Sequence, residues 1–214
     1  MMTTSQKMRD GGLPVIALAL SLCCLVGSPV EATESPTTVV RQTTDAVLAV
    51  LANQNLTTPE KHQQIEEIAY AHFDFPTLSR LVLGRNWKGL SPAQQAEFLG
   101  EFKQHLANTY GKGIDNYRNE RIVIAGDRAE VDGDWIVKTK VVGSEGTDFE
   151  VDYRLRQTDG EWRAIDVIIE GVSLVANYRS QFQEIASNQG AAALIQLLHE
   201  KNTKGEPIEA SKRE

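Results

Sequence analysis

The chain has 214 residues, of which 41% are hydrophobic and 24% are charged, and its acidic excess gives a net charge of −7 at pH 7. This composition is typical of a globular protein with an ordinary hydrophobic core. The negative charge argues against binding to nucleic acid or to anionic membrane surfaces, because these carry charge of the same sign.

The first 32 residues have the features of a cleaved secretory signal peptide. A basic start precedes an apolar stretch at residues 13–26, and an A-x-A-like cleavage site ends at Ala32. The 14 residues of this stretch are fewer than the ~20 that cross a bilayer, so an uncleaved anchor is the weaker alternative. Cys23 and Cys24 lie in this stretch without the small preceding residue of a lipoprotein site. We therefore expect export of a chain without disulfides.

Residues 33–202 are predicted to form a single domain, which a polar tail at 203–214 follows. Apolar spacing predicts a first amphipathic helix that ends near Gln54. Thr58, directly before a proline, is the expected N-cap of a second helix. A short third helix is predicted to end at Leu83, before a glycine.

A long fourth helix carries the most distinctive apolar pattern of the chain. Its start is predicted at Ser91, because Ser91-Pro92-Ala93-Gln94 combines a capping-box pattern with a proline at the first helical position. Gly111 and Gly113 are expected to kink or end it. Four large side chains recur at intervals of four, which places them on one face: Phe98, Phe102, Leu106 and Tyr110.

From residue 121 to residue 169 the apolar period changes to two, which predicts an antiparallel sheet with one exposed face. A three-residue hairpin loop at 143–145 would place Trp135 opposite Tyr153 and would also pair opposite charges, including Asp134 with Arg154.

Asp159-Gly160 predicts the next hairpin turn, before the last long strand. Two helices, at 174–188 and 191–201, are expected to close the domain.

No catalytic or metal-binding constellation stands out. The four histidines occupy separate predicted helices without paired spacing: His62, His72, His105 and His199. Ser173 begins like a nucleophile elbow, but Val175 replaces the required second glycine, so an N-cap is the better interpretation. Asp132-Gly133-Asp134 lacks the spaced ligands of a calcium loop and is expected to form a hairpin turn.

Asp166 is the one acidic residue predicted to be buried. A two-residue turn at Asp159-Gly160 would place it opposite Tyr153 on the inward face, where a carboxylate needs a partner such as Arg179 or Tyr178. A structural ion pair is favoured over an acid or base role. Four basic side chains lie on the predicted sheet: Lys138, Lys140, Arg154 and Arg156. The predicted alignment makes three of them, Lys138, Lys140 and Arg154, cross-strand partners of acids, so a solvated structural face is favoured over a headgroup or docking patch.

Two segments carry a resemblance to a known family: LVLGRNWKGLSPAQQAEFLGEFKQHLANTYGKGIDNY, from Leu81 to Tyr117, and WRAIDVIIEGVSLVANYRSQF, from Trp162 to Phe182. They resemble the MlaC, or toluene-tolerance, family of periplasmic phospholipid-binding proteins. The resemblance extends from about Val39 to Lys201. It implies an α+β fold in which N-terminal and C-terminal helices wrap a twisted antiparallel sheet, with an apolar cavity between sheet and helices.

The family's function is carried over as an expectation. The resemblance implies a monomeric, non-enzymatic periplasmic carrier without a cofactor, which takes a phospholipid ligand between an outer-membrane lipoprotein complex and an inner-membrane ATP-driven transporter complex and so maintains outer-membrane lipid asymmetry. A hopanoid-linked role in the same family is the alternative. Two further alternatives are an enzyme that uses Asp166 as its acid or base and an exported adaptor whose apolar face is simply core. The matching positions predicted to bind lipid are Phe98, Phe102, Leu106, Tyr110, Val151, Tyr153, Val172, Tyr178 and Phe182.

Elementary energetics fits such a carrier. Each methylene contributes about 0.8 kcal/mol on burial, so exposing an acyl chain of about 16 carbons costs on the order of 12 kcal/mol. The chains must therefore be enclosed, whereas the headgroup can remain in solvent. The sequence contains no obvious phosphate clamp, which predicts weak headgroup selectivity. Release would need a partner or an opening motion, for which Gly84, Gly111 and Gly171 are candidate hinges.

Overall fold

The protein has an α+β fold in which helices flank an open five-stranded antiparallel sheet, as the sequence predicted. A computed structural model describes residues 34–143 and 148–208. The expected signal peptide at 1–32 and the end of the expected tail, from residue 209, lie outside the described residues. Within the described part, no helix combines the length and apolar character that a membrane span requires.

Three helices open the domain, each with a local reason to start where it does. Helix α1 (Pro36–Ala52) follows the N-cap Ser35, whose side chain accepts from the N–H of Thr38. Helix α2 (Thr58–His72) is capped by Thr57 and not by Thr58, because Thr57 and Glu60 form a reciprocal capping box. Helix α3 (Phe75–Leu83) is capped by Asp74 and ends at Gly84.

Helix α4 (Pro92–Tyr110) begins at the predicted capping box of Ser91 and Gln94, after a 3₁₀ turn at Gly84–Gly89. It ends at Gly111, before the short helix α5 (Lys112–Asp115), so the glycines terminate it as expected. After the sheet come α6 (Leu174–Gln189), capped by Ser173, and α7 (Ala191–Lys204). Beyond α7, Ile208 is buried against the helices.

The sheet is a simple meander in the order β1-β2-β3-β4-β5, with each strand hydrogen-bonded to the next in the chain. Its strands are β1 (Arg121–Ala129), β2 (Trp135–Val142), β3 (Phe149–Thr158), β4 (Glu161–Ile169) and the short β5 (Val172–Ser173). The Asp132-Gly133 segment turns between β1 and β2, where Asp132 and Gly133 both take positive φ. Asp159-Gly160 makes the predicted two-residue turn, since Thr158 pairs with Glu161.

The predicted alignment of β2 with β3 was wrong by two residues. Trp135 pairs with Leu155 and Val137 pairs with Tyr153, because the connection between the two strands is longer than the three residues expected. A shift of two keeps every side chain on its predicted face, since the period of a strand is two. The partners change, and Asp134 consequently pairs with Arg156.

A β-bulge in β4 overturns the expected placement of Asp166. Leu155 pairs with Ala164, but Arg154 pairs with Asp166, so Ile165 is an extra residue without a cross-strand partner. Asp166 therefore lies opposite Arg154 and not opposite Tyr153, and the residues beyond the bulge change face. A second bulge interrupts the pairing of β1 with β2 between Ile124 and Gly126. Such bulges bend strands and increase their twist.

The buried side chains form two separate clusters. The larger lies among α3, α4, α6 and α7 and contains Phe98, Phe102, Tyr178 and Phe182. The smaller joins Val39 and Val40 of α1 to Val137 and Leu155 of the sheet, with further side chains packed at its edge. The space between the sheet and the N-terminal helices is thus not filled as a continuous core.

Candidate functional site: an apolar cavity between helices and sheet

A cavity of about 520 Å³ lies between one face of the sheet and the helices α1, α2, α4 and α5. This volume falls within the range of roughly 300 to 1,000 Å³ that is typical of small-molecule sites. The sheet contributes inward-facing residues of four strands to the wall, namely Ile122, Val141, Phe149, Val151, Tyr153, Leu155, Ala164, Val167 and Ile169. The first two helices contribute Val39, Val40, Val47, Leu51, Ile65, Ile68 and Ala69 among others.

The polar side chains of α1 in the wall turn their hydroxyls away from the cavity. Thr43 Oγ1 donates to the carbonyl of Val39 at 2.7 Å, and Thr44 Oγ1 donates to the carbonyl of Val40 at 2.9 Å. Because these bonds close on the helix's own backbone, the hydroxyls need no partner inside the cavity. This part of the wall is therefore suited to apolar ligand groups.

The hydroxyl of Tyr153 is poorly solvated in the cavity wall. Its side chain belongs to the cavity wall on β3, and burial raises the pKa of its hydroxyl to about 12. Ionisation is disfavoured where water cannot solvate the phenolate. A ligand group at this depth would meet an environment closer to a protein interior than to bulk solvent.

Four of the nine residues predicted to bind lipid line this cavity: Leu106, Tyr110, Val151 and Tyr153. Phe98, Phe102, Tyr178 and Phe182 instead belong to the larger core cluster, and Val172 is 58% exposed on β5, outside the wall. Direct contact with a lipid stays a prediction for all nine positions. The helical spacing of α4 was correct, but its first half packs against α6 and α7 whereas its second half borders the cavity.

The aromatic residues of the core cluster pack tightly against each other. Phe102 has its ring centroid 5.5 Å from that of Phe98, 5.3 Å from that of Tyr178 and 5.5 Å from that of Phe182. Tyr178 and Phe182 lie one helical turn apart in α6. Phe98, Phe102 and Phe182 are completely buried. These rings consequently form a structural core among α3, α4, α6 and α7, outside the cavity wall.

The residues that sequence reasoning missed lie mainly on α1, α2 and the end of β4. The amphipathic spacing of α1 was visible in the sequence, but it did not reveal that Val47 and Leu51 face a cavity and not a filled core. Val167 and Ile169 were missed for another reason. They face the cavity only because the bulge at Ile165 changes the alternation of β4.

One part of the wall is exposed and carries charge. Tyr70 is a wall residue that is 41% exposed, and the ammonium of Lys103 lies 4.6 Å from the centroid of its ring. The same ammonium lies 5.0 Å from the ring centroid of Phe75. Glu66, one turn before Tyr70 in α2, is also in the wall. Burial raises the pKa of Tyr70, and the charge of Glu66 adds to this increase.

The histidines do not form a metal site. His62 Nε2 lies 3.0 Å from Asp115, which joins α2 to α5, and His199 Nδ1 lies 2.8 Å from Glu101. His105 is buried in α4. Across residues 34–143 and 148–208, no three histidine, cysteine or acidic side chains are grouped as metal ligands would be.

Asp166 is held by α6 and does not belong to the cavity wall. Its carboxylate accepts a hydrogen bond from Ser173 Oγ at 2.5 Å and another from the backbone N–H of Val175 at 3.0 Å. The expected partners were therefore wrong, and Arg179 instead donates to the carbonyl of Leu81 at 2.7 Å. Ser173 also caps α6 by accepting from the N–H of Ala176, as predicted. The arrangement anchors the start of a helix to the sheet.

The basic side chains of the sheet lie mostly opposite acids, as the charge pattern indicated. Lys138 is aligned with Asp152 and Lys140 with Glu150, and the ammonium of Lys140 lies 2.8 Å from Asp148. Arg156 binds Asp134 through two hydrogen bonds of 2.6 and 2.9 Å. These pairs support a structural assignment for that face.

Comparison with known proteins places this architecture in a family. The chain is 30% identical over 100 residues to the toluene tolerance protein Ttg2D of Pseudomonas putida, a match covering 47% of this chain and 46% of the relative. It is 25% identical over 118 residues to the intermembrane phospholipid transport system binding protein MlaC of Haemophilus influenzae, covering 53% and 55%. The chain thus spans about half the length of the curated relatives it matches.

A solved structure and a family model extend the likeness. A phospholipid-binding protein from Ralstonia solanacearum, determined in complex with a phospholipid, superposes with a TM-score of 0.74 at 27% identity, covering 80% of this chain and 99% of the other. The family model for the MlaC protein matches residues 41–200, which include all the strands and nearly all of the helices that enclose the cavity. The chain therefore belongs to the MlaC protein family.

Proposed function

We propose that the protein is a periplasmic phospholipid carrier that encloses acyl chains in the cavity between sheet and helices. The single observation that best supports this proposal is the cavity itself, with its 520 Å³ volume and largely apolar wall. The names of two similar proteins, one a phospholipid transport binding protein and one solved with a phospholipid, agree with it.

The energetic reason is the cost of moving acyl chains through water. A chain of about 16 carbons gains on the order of 12 kcal/mol from enclosure, which a wall of aliphatic and aromatic side chains can supply without any chemical step. The proposal is therefore a non-enzymatic carrier that works as a monomer without a cofactor. Asp166, the candidate for an enzyme, is occupied in anchoring α6, so no specific observation favours catalysis.

The finer parts of the proposal concern location and route. We infer that residues 1–32 direct export and are removed, and that residues 33–202 form the lipid-binding domain. The carrier would exchange phospholipid with an outer-membrane lipoprotein complex and an inner-membrane ATP-driven transporter, and so help maintain lipid asymmetry. With a net charge of −7, it is better suited to docking on protein partners than to lying on an anionic bilayer.

Lipid retention tests the core of the proposal. Protein purified from its native source should carry phospholipid in a fixed ratio, detectable by native mass spectrometry and by analysis of the extracted lipid. Empty protein that also takes up no lipid from vesicles would refute it. Extraction of a hopanoid in place of a phospholipid would favour the hopanoid-linked alternative.

A second test blocks the cavity with a bulky side chain and compares this variant with a matched control. Val151→Trp adds a large ring to a wall position on β3, whereas Val131→Trp makes the same change at an exposed position between β1 and β2, outside the wall. We expect the first variant to lose most of its vesicle uptake with a native circular dichroism spectrum, and the second to load normally. Equal loading of both folded variants would contradict the assignment of this cavity.

A further inference from the structure

We propose that Lys103 is a phosphate-recognising residue at the rim of the cavity, which selects lipids that carry a phosphodiester over lipids with the same tails and none. This inference rests on the proposed function and adds a polar subsite to it. It differs from the expectation of weak selectivity drawn from the sequence, because the selection concerns the phosphate shared by glycerophospholipids and not the group attached to it.

The first argument is the position of the ammonium group. Among the described residues of the wall, Lys103 is the only lysine or arginine. It lies next to Tyr70, one of the exposed wall residues. The wall continues along α4 from Lys103 through Leu106 and Ala107 to Tyr110. A lipid whose tails follow this apolar wall would thus have a cation within reach of its polar end.

The second argument is that the ammonium is held in place without an acidic partner. The ammonium lies over the rings of Tyr70 and Phe75, whose centroids are 5.5 Å apart with their planes at 79°. No salt bridge joins Lys103 to a carboxylate in the described part of the chain. Cation–π contacts orient an ammonium but leave its N–H donors available to an anion.

Neighbouring charges sharpen the expected discrimination. Lys61, on α2, already donates to the carbonyl of Leu51 at 2.6 Å, so it is less available to a ligand. Glu66 shares the wall with Lys103 and would oppose an approaching anion. The Lys103 ammonium is therefore the contact that makes a phosphodiester favourable at this rim, and Glu66 should weaken that effect.

A competition between two lipids with identical tails tests the proposal. Delipidated full-length chain is incubated with phosphatidylcholine vesicles that contain a minor fraction of diacylglycerol, and the bound lipids are quantified by mass spectrometry. The measured quantity is the ratio of phosphatidylcholine to diacylglycerol on the protein, relative to the vesicles. Since a charge-assisted contact at a partly buried site is worth about threefold to tenfold in affinity, we expect Lys103→Met to lower this ratio by that factor.

Three variants separate recognition of charge from a structural effect. Lys103→Arg keeps the charge and should keep the ratio, and Lys88→Met removes a charge at an exposed position outside the wall and should leave it unchanged. Glu66→Gln removes the opposing charge and should raise the ratio. An unchanged ratio in Lys103→Met, or a lowered ratio in Glu66→Gln, would overturn the inference.

Two further outcomes identify which proposal fails. If the wild-type chain binds neither lipid, the proposed carrier function is refuted along with this subsite. If wild-type and Lys103→Met chains load both lipids in the same ratio, the carrier function stands and only the role of Lys103 is refuted. Inorganic phosphate, added at constant ionic strength, should leave the ratio unchanged. Loss of the phosphatidylcholine preference would instead indicate a site for the free anion and overturn the proposal.

Discussion

Replacing Phe102 with alanine should destabilise the protein strongly but should not reduce the amount of lipid that the cavity binds. The side chain is fully buried and its ring packs against three other aromatic rings at 5.3 to 5.5 Å. Truncation of such a residue typically costs about 3 to 5 kcal/mol, because contacts are lost and a void remains. For a chain of this length, that corresponds to a fall of about 10 °C in Tm.

Phe149→Ala is the matched control, because it makes the same chemical change in the cavity wall. Phe149 is 39% exposed and borders open space, so we expect a cost of about 1 kcal/mol or less in the lipid-free protein. The two variants should have the opposite order in phospholipid loading. Phe102→Ala should load phospholipid to the wild-type level while folded, whereas Phe149→Ala should load less.

Urea denaturation of delipidated protein measures the first effect, and bound phospholipid per chain after incubation with vesicles measures the second. Phe102→Leu, expected to cost about 1 to 2 kcal/mol, replaces the alanine variant if that variant does not fold. Two results would refute the separation of core from cavity. One is an equal loss of stability in both alanine variants, and the other is a folded Phe102 variant that no longer loads lipid.

Two further predictions concern buried polar groups. Burial lowers the pKa of His105, with Asn202 opposing the effect in part, so the unfolded chain takes up this proton first. The contribution of neutral His105 to the free energy of unfolding is complete above the pKa of the unfolded chain, about 6.5. It is lost as the pH falls through the lower pKa of the folded state. His105→Gln should therefore flatten the fall in unfolding free energy between pH 7 and pH 5, and an unchanged slope in urea titrations would contradict this. Asp166→Asn should cost about 1 to 2 kcal/mol, because Ser173 and the Val175 N–H bind different carboxylate oxygens and the substitution turns one of these oxygens into an NH₂ donor. Lipid loading should persist, and its loss in folded protein would place Asp166 in the binding machinery.

Local signals in the sequence predicted the element order well. The capping box at Ser91, the N-cap at Ser173 and the turn at Asp159-Gly160 depend on neighbouring residues, and all three are confirmed. The alternation of the strands also predicted the correct faces of β2 and β3. Their alignment could not be predicted, because it depends on the length of a connection that the pattern does not mark.

The cavity was harder to predict than the elements around it. Apolar spacing reports that a helix face is buried, but it does not distinguish a face that meets other side chains from one that meets open space. Phe102 and Tyr110 therefore had the same signature in the sequence, although one is in a filled core and the other is in the cavity wall. Only the packing of α4 against α6 and α7 separates them.

The extra residue in β4 has a consequence for the chemistry of the cavity wall. Because Ile165 interrupts the alternation, Ala164 and Val167 both face the cavity, three positions apart, while Asp166 faces α6. A regular strand with this sequence would exchange the faces of every residue beyond Ala164. It would turn the carboxylate of Asp166 toward the cavity, and Val167 and Ile169 away from it. The apolar character of this wall thus depends on the one-residue bulge at Ile165 as much as on amino-acid composition.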